Sequence, residues 1–215
     1  MAKKARSLHQ AMFDLLAPLY DLGFWLIALF FGGEKAVRDR TVEEAMPLAG
    51  MTVLESFAGT ATVSIMAAQR GASAVAQDIS SGMLSVALEK SRKSGVELMA
   101  VRADSSSLPF RDSSFDRVIA SFGLHEAHSE TVRAFFTESL RVLKKNGRLV
   151  VIDYHKAGGK WGLVEKLLFT FVETDHASEW VGMDAQGLIR DAGFKDFRRR
   201  FLIAGGVQLI TAVKR

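Results

Sequence analysis

The stretch Val53-Leu54-Glu55-Ser56-Phe57-Ala58-Gly59-Thr60-Ala61 has the pattern of a buried strand, a tight turn and the start of a helix. Apolar residues lead into an acid and then into small residues, and an apolar-periodic segment follows from Val63. Such a turn presents backbone N–H groups to a ligand at the carboxyl end of the strand. An acid at this position is unsuited to a pyrophosphate, so the pattern favours a ligand with positive charge and hydroxyl groups.

A second acid follows one strand later. Residues 74–78 have the pattern of a short strand that ends at Asp78, and Ser80 is in position to cap a helix that extends to Lys93. In an open α/β sheet, a carboxylate about 20 residues after the glycine-containing turn is placed to accept hydrogen bonds from a ribose diol. Asp78 is therefore a candidate ribose-binding residue.

The order of motifs along the chain resembles that of class I S-adenosylmethionine (SAM) methyltransferases. Residues 53–61 are similar to the family's V-L-D-x-G-x-G-x-G signature, and Asp78 falls where its ribose-binding acid falls. The similarity continues through the family's third and fourth strands and their connecting loop, at residues 102–104, 108–110 and 114–118. The family's R-V-L-K-P-G-G turn is matched by residues 141–150. The resemblance extends over roughly residues 17–215.

Three shorter segments resemble the ubiquinone/menaquinone biosynthesis methyltransferases within that class. They are Tyr20-Asp21-Leu22, Ser121-Phe122-Gly123-Leu124-His125 and Gly205-Gly206-Val207. The chain also departs from the pattern, because Glu55 replaces an aspartate, Phe57 and Ala61 replace glycines, and His125 stands where an arginine is usual. The resemblance implies methyl transfer from SAM to a small apolar acceptor, with a quinol-type ring carbon as the first choice. The alternatives are a phospholipid-amine or other small-molecule O- or N-methyltransferase, and a non-catalytic SAM-binding protein.

Composition limits the other classes of function. With 215 residues, 48% of them hydrophobic, the chain is long enough for one globular domain with a sizeable core. It has no cysteine, which excludes disulfides, thiolate metal sites and a cysteine nucleophile and is compatible with a reducing cytoplasm. A net charge of +4 is too small to indicate a nucleic-acid partner, and no RNA-binding signature is present. The oligomeric state is left open.

The N-terminal region is unusually apolar between residues 11 and 33. The uncharged part, residues 22–33, has 12 residues, whereas a membrane span needs about 20. The segment is therefore either a lid helix over the cofactor cleft or an interfacial segment that admits a lipid-soluble substrate, assisted by the nearby charges of Lys3, Lys4 and Arg6. This predicts a cytoplasmic protein with peripheral contact to the inner membrane face.

The sequence predicts an α/β fold with a Rossmann-like sheet of seven strands, near residues 52–56, 74–78, 97–101, 115–121, 148–154, 196–202 and 207–213. Helices are expected between the first five strands and on both faces of the sheet. Gly205 and Gly206 should turn the last two strands into an antiparallel hairpin, and the resemblance implies the strand order 3-2-1-4-5-7-6. Pro47 marks the expected boundary between a helical cap, residues 1–47, and the SAM-binding domain, residues 48–215.

The resemblance also assigns the cofactor contacts. Glu55 would bind the SAM amino group or instead cap the following helix, and Asp104 would bind the adenine amino group or act as a turn residue. Tyr20 would cover the sulfonium by a cation–π contact or only pack, while Phe57 would block the approach of the cofactor or line the acceptor pocket. The remaining expected cofactor-binding residues are Ser56, Ala58, Gly59, Thr60, Asp78, Ile79, Met83, Ala103, Ser105 and Ser121.

Candidate acceptor-side residues follow the fourth and fifth strands. His125 is the first choice for a general base, with a pKa expected near 6.5; Glu126, Tyr154 and His155 are the other candidates, and Tyr154 is the second predicted catalytic residue. No metal is expected: Asp175, His176 and Glu179 form a charged loop in a probable lid, without a second histidine at ligand spacing.

Overall fold

The structure is a computed structural model that describes residues 34–155 and 175–215. Its strands are β1 (Thr52–Ser56), β2 (Ser73–Asp78), β3 (Met99–Arg102), β4 (Phe115–Ser121), β5 (Leu143–Tyr154), β6 (Lys195–Leu202) and β7 (Val207–Val213). Its α-helices are α1 (Glu34–Ala45), α2 (Thr62–Ala68), α3 (Ser81–Lys93), α4 (Ser129–Val142), α5 (Asp175–Gly182) and α6 (Ala185–Asp191). Two short 3₁₀ turns cover Leu124–Glu126 and Ile203–Gly205.

The seven strands form one sheet in the order β3-β2-β1-β4-β5-β7-β6. Neighbours from β3 to β5 run parallel, whereas β7 is antiparallel to both β5 and β6. The short turn at Ile203–Gly205 joins β6 to β7. The predicted fold class, strand order and final hairpin are therefore confirmed.

The expected helix between the third and fourth strands is absent. Residues 103–114, all of which the structure describes, form a loop. Asp104 accepts a hydrogen bond from the backbone N–H of Ser106 at 2.8 Å, and Pro109 and a left-handed Ser113 follow. Aspartate and serine side chains that bond to nearby backbone favour turns over helix, which accounts for the loop.

Alternate residues of the central strands pack on opposite faces of the sheet. Leu54 and Val118 belong to one core cluster, which α4, α5 and α6 cover, and Val53 and Ile119 belong to a second, which α1 and α2 cover. This alternation is the period of a strand that is buried on both sides. The prediction of helices on both faces is confirmed.

Two arginines of the sheet secure the end of α1. Arg117 donates from Nε to the carbonyl of Ala45 at 2.7 Å, and Arg148 donates from Nη1 to that of Glu44 at 2.6 Å. The last carbonyls of a helix have no partner within the helix, so these donors terminate α1 on the sheet. Tyr20 and the apolar segment 11–33 lie outside the described residues, and the division at residue 47 stays a prediction. Within the described ranges, no helix is long and apolar enough to cross a membrane.

Candidate active site

The candidate site lies along the carboxyl edge of the sheet. Strands β1, β2, β4 and β5 run parallel and end at Ser56, Asp78, Ser121 and Tyr154. Because the ends of parallel strands share one edge, the loops that follow them meet there. Most of the predicted cofactor residues lie at or after the ends of β1, β2 and β3, while Ser121 ends β4. The predicted acceptor residues lie at or after the ends of β4 and β5.

The turn after β1 uses left-handed backbone at three positions. Phe57 has φ 55°, Gly59 has φ 52° and Ala61 has φ 55°. Phe57 and Ala61 thus keep the conformation that suits the glycines they replace, at a cost of roughly 1–2 kcal/mol for each. A Cβ added to Gly59 would meet no atom within 4 Å, so the backbone there faces open space. The turn retains the shape that allows a ligand to approach its backbone.

The ring of Phe57 packs toward α4. It contacts Phe135 edge to face with ring centroids 5.3 Å apart. A Cβ on Gly123 would lie 2.2 Å from the Cβ of Phe57, so only glycine fits beside it. The ring therefore fills space between the turn and the loop after β4.

Asp78 connects the turn after β1 to the start of α3. Its Oδ2 accepts from the N–H of Gly59 and its Oδ1 from the N–H of Ser80, both at 2.8 Å. Ser80 also accepts from the N–H of Met83 at 3.1 Å, which confirms the predicted N-cap of a helix that ends at Lys93. Asp78 is half-buried, beside an exposed Ile79.

Glu55 is almost fully buried and bonds to α2. Its Oε2 accepts from the backbone N–H of Ser64 at 2.7 Å and from its hydroxyl at 2.6 Å. Burial raises the pKa of Glu55 to about 6, although both Ser64 bonds act against the rise. The helix-capping alternative for Glu55 is therefore the contact present in the structure.

Gln77 holds the loop after β3 against β2. This fully buried side chain donates from Nε2 to the carbonyl of Ala103 at 2.6 Å and accepts at Oε1 from the hydroxyl of Ser105 at 3.0 Å. Asp104 lies between these two residues. Sequence reasoning missed Gln77, although an amide within a small-residue strand beside Asp78 was a usable signal.

Lys90 of α3 stabilises the start of α2. Its Nζ donates to the hydroxyls of Thr60 at 3.1 Å and Thr62 at 2.6 Å. Thr60, a predicted cofactor residue, is buried and contributes to this bonding. Ala58, also predicted, donates its N–H to the carbonyl of Gln77 at 3.0 Å.

Asp153 organises the acceptor side and was missed by sequence reasoning. This fully buried carboxylate accepts at Oδ2 from the N–H groups of Gly123 at 3.1 Å and Leu124 at 2.8 Å. Its Oδ1 lies 2.8 Å from Nδ1 of His125 and accepts from the N–H of Tyr154 at 2.7 Å. The sequence feature that could have identified Asp153 is its position directly after the apolar run 149–152 of β5.

His125 lies between two carboxylates. Asp153 is at Nδ1, and Oε1 of Glu126 lies 3.8 Å from Nε2. Burial by itself would lower the pKa of His125, but the charge and hydrogen bond of Asp153 outweigh it, so the pKa rises above the expected 6.5. Burial raises the pKa of Glu126 to about 7, while His125 opposes the rise and the charges of Asp78 and Asp153 add to it. The two halves of the site are thus close enough to interact.

Aromatic rings enclose His125 on one side. The ring of Tyr154 contacts that of His125 at 4.6 Å and that of Phe122 at 5.3 Å between centroids. Burial raises the pKa of Tyr154, so its phenol stays protonated at neutral pH and is not available as a base. Trp180 of α5 donates to the backbone carbonyl of Tyr154 at 3.0 Å.

The other acceptor-side candidates have structural contacts. Nδ1 of His155 lies 3.1 Å from the carbonyl of Gly205. The charged loop expected at Asp175, His176 and Glu179 is instead the first part of helix α5. Glu179 accepts there from the N–H of Ser129 at 3.2 Å. The side chains of Asp175 and His176 lie outside the described residues, and no cluster suited to a metal occurs among those described.

Two buried hydroxyls at the carboxyl edge of the sheet have no partner among the described residues. They are the Oγ atoms of Ser56, which ends β1, and Ser121, which ends β4. Buried hydroxyls are normally bonded. The carboxylate of Asp78 and the open space beside Gly59 lie along the same edge.

Comparisons with known proteins agree with this geometry. Residues 53–147 match the model of a methyltransferase domain. The chain is 42% identical to a demethylmenaquinone methyltransferase of Thermobifida fusca (67% of this chain, 60% of the relative), and 35% identical to one of Thermus thermophilus (74% and 71%). A solved SAM-dependent methyltransferase from Aquifex aeolicus shares the fold, with a TM-score of 0.63 and 21% identity over 83% of this chain and 89% of that one. The chain spans about 60% of the length of the first of these curated relatives.

Proposed function

Because the chain belongs to the ubiquinone/menaquinone biosynthesis family of class I SAM-dependent methyltransferases, we propose that it methylates a ring carbon of a quinol. The relatives at 35–42% identity are named demethylmenaquinone methyltransferases, which supports a lipid-soluble, quinol-type acceptor. The observation on which the proposal mainly depends is the His125–Asp153 pair, which stands beside a cofactor-type turn at the same sheet edge.

The cofactor residues divide by the part of SAM that they suit. Asp78 binds the ribose, Asp104 with Ala103 and Ser105 surrounds the adenine, and Ile79 and Met83 provide apolar contact. The turn Ser56–Thr60 and the hydroxyl of Ser121 bind the methionine part. Glu55 acts mainly through Ser64, by fixing the N-terminus of α2, and Tyr20 covers the sulfonium. When bound, SAM supplies a methyl group already activated by its sulfonium, so no metal or covalent nucleophile is required.

His125 acts as the general base. With Nδ1–H donated to Asp153, the lone pair of a neutral imidazole is on Nε2, which can take the proton from an acceptor hydroxyl. The resulting oxyanion raises the electron density of the ring carbon that accepts the methyl, and the proton on that carbon is then lost to restore the aromatic ring. Asp153 holds the tautomer and stabilises the imidazolium. Tyr154 packs against the imidazole and fixes its plane.

The apolar segment 11–33 gives the acceptor a route to the site. We propose that this cytoplasmic protein contacts the inner membrane face through the segment, with Lys3, Lys4 and Arg6 near anionic lipid. Deletion of residues 1–33 should then weaken salt-sensitive binding to anionic vesicles. Unchanged binding by the truncated protein would contradict this contact.

Methyl transfer is the direct test of the function. The full-length protein is incubated with methyl-labelled SAM and chemically reduced demethylmenaquinol in detergent, and the product is identified by mass spectrometry. We expect one methyl on the quinone ring and none with the oxidised acceptor, because only the quinol can form the oxyanion. Label on the amine of phosphatidylethanolamine would identify an amine methyltransferase. SAM binding by calorimetry without transfer to any acceptor would identify a non-catalytic SAM-binding protein.

A further inference from the structure

The outermost strand, β6, combines positive charge with an exposed aromatic ring. The sheet ends at β6, whose only partner among the described strands is β7. Its exposed side chains include Lys195, Arg198 and Arg200, and Phe201 is 53% exposed. We call the group Lys195, Arg198, Arg199, Arg200 and Phe201 the β6 patch.

The charge of the β6 patch is mostly unbalanced. Arg200 pairs with Glu44 at 2.8 Å, and the nearby Asp196 is paired with Arg215. Lys195, Arg198 and Arg199 have no ion-pair partner within the described part of the chain. The two exposed charges of Lys195 and Arg198 therefore remain available to an anionic surface, whereas Arg199 is half-buried.

The aromatic part of the patch is held by an arginine. The guanidinium of Arg199 lies 5.3 Å from the ring centroid of Phe197 and 6.0 Å from that of Phe201. Phe197 packs against the core, whereas Phe201 remains exposed. Because alternate residues of a strand point to opposite faces, Phe201 shares its side of β6 with Arg199, and Arg198 and Arg200 lie on the other side. An exposed aromatic ring at an edge that also carries arginines suits the boundary between lipid headgroups and acyl chains, where apolar and charged groups are both accommodated.

The patch lies at the same end of the sheet as the candidate active site. Because β6 runs parallel to the central strands, Phe201 is near the carboxyl edge. Its ring contacts that of His155 at 4.7 Å, and His155 directly follows Tyr154, which packs on His125. A surface bound at Phe201 would thus adjoin the acceptor side of the site.

We propose that the β6 patch is a docking surface for an anionic lipid bilayer. A second copy of the chain is disfavoured at this edge, because three successive arginines on each strand would repel one another across a paired sheet. A bilayer matches both the unpaired charges and the exposed ring. A single-stranded nucleic acid, whose bases can stack on such a ring, is the competing partner that the experiment below separates from it. The proposal extends beyond the proposed function, since it concerns binding to a surface in the absence of SAM and acceptor.

Vesicle binding by the full chain tests this surface. Co-sedimentation is measured with vesicles of phosphatidylglycerol mixed with phosphatidylcholine and with pure phosphatidylcholine, at increasing salt. Lys195→Gln/Arg198→Gln should weaken binding to the anionic vesicles by about 25-fold, since each charge near an anionic surface contributes about fivefold. Phe201→Ala should weaken it by about fivefold and also reduce the remaining binding at high salt.

Arg92→Gln/Lys93→Gln is the matched control, since both residues are exposed on α3 and the change in net charge is the same. It should change vesicle binding by less than about threefold. Lys3→Gln/Lys4→Gln removes two charges near the N-terminus and leaves the β6 patch unchanged, so it measures the contribution of the N-terminal segment separately. Wild-type affinity in Lys195→Gln/Arg198→Gln would overturn the proposal. So would tighter binding to a single-stranded RNA than to vesicles, if that binding is lost in the same variant.

Discussion

The two halves of the candidate site are built differently. On the cofactor side, Glu55 and Asp104 bond to backbone N–H groups nine and two residues away. Asp78 bonds to the N–H of Ser80 and, across to the turn after β1, to that of Gly59. On the acceptor side, Asp153 of β5 bonds to the backbone and the imidazole of a loop about 30 residues earlier. The cofactor half thus combines local turns and helix caps with several contacts between neighbouring loops. The acceptor half depends on one buried carboxylate and exists only when β4 and β5 pair.

Because of this difference, SAM binding and catalytic turnover should respond to substitutions in different halves of the site. Loss of a cofactor-side acid should change the affinity for SAM, whereas loss of an acceptor-side group should change the rate at saturating SAM. Each of the following variants tests one side of that separation.

The largest effect is expected at the His125–Asp153 pair. Asp153→Asn keeps the shape of the side chain but puts an NH₂ group where a carboxylate oxygen accepts from Nδ1–H of His125. The imidazole is then forced into the other tautomer, with its proton on Nε2. His125→Ala and Asp153→Asn should each lower kcat by roughly 100-fold or more, while the dissociation constant for SAM changes by less than about threefold. Steady-state kinetics and calorimetry on the same preparations measure both quantities.

The pH profile identifies the base. Since the neutral imidazole is the active form and Asp153 raises its pKa, the wild-type rate should increase with pH through one ionisation above 6.5. That step should disappear in His125→Ala. A variant with full turnover, or one that loses SAM binding instead, would show that His125 is structural.

The next effect concerns Asp78. Removal of a carboxylate that bonds the ribose should weaken SAM binding by about 10-fold or more, since hydrogen bonds to a charged group contribute about 1.5–3 kcal/mol. Asp78→Ala should therefore lose most of the increase in melting temperature that SAM produces. Asp112→Ala, with a side chain that is 76% exposed, is the control. If Asp78→Ala instead lowers kcat with unchanged affinity, the two halves do not act separately.

Ionisation of Glu126 should make the free energy of unfolding depend on pH. The pKa of Glu126 is about 7 in the folded protein and 4.5 in the unfolded one, so protonation of Glu126 favours the folded state. The resulting gain in the free energy of unfolding is complete below about pH 4.5 and is lost as the pH rises to about 7. Glu126→Gln should be more stable than the wild type by about 1–2 kcal/mol above pH 7, a figure reduced for solvent screening of a partly exposed side chain. The advantage should vanish below about pH 4.5. Denaturant titrations with the exposed Glu97→Gln as the control measure it, and an equal gain at both pH values would contradict the shift.

The smallest effect is expected at Ala61. Glycine relieves the left-handed strain at φ 55°, so Ala61→Gly should raise the free energy of unfolding by about 0.5–1 kcal/mol. Ala87→Gly, within helix α3, should lower it by about 1 kcal/mol or more. SAM affinity should remain within about threefold, since the backbone shape is already present. A loss of stability in Ala61→Gly would mean that the methyl group of Ala61 contributes more through packing than the strain costs.

The sequence by itself determined the sheet, its strand order through the family resemblance, the N-cap at Ser80 and the position of Asp78, because strand alternation, helix caps and turn residues are local patterns. The general expectation of a helix between the first five strands was wrong at residues 103–114, where the resemblance implied a connecting loop, and the bonds of Asp104 and Gln77 hold that loop. Only the tertiary structure decided that Glu55 bonds to Ser64 and that Asp153 meets His125. A carboxylate at a strand end looks the same in sequence whether it faces a ligand, a helix or a histidine, and its partner is fixed only when the strands and helices pack.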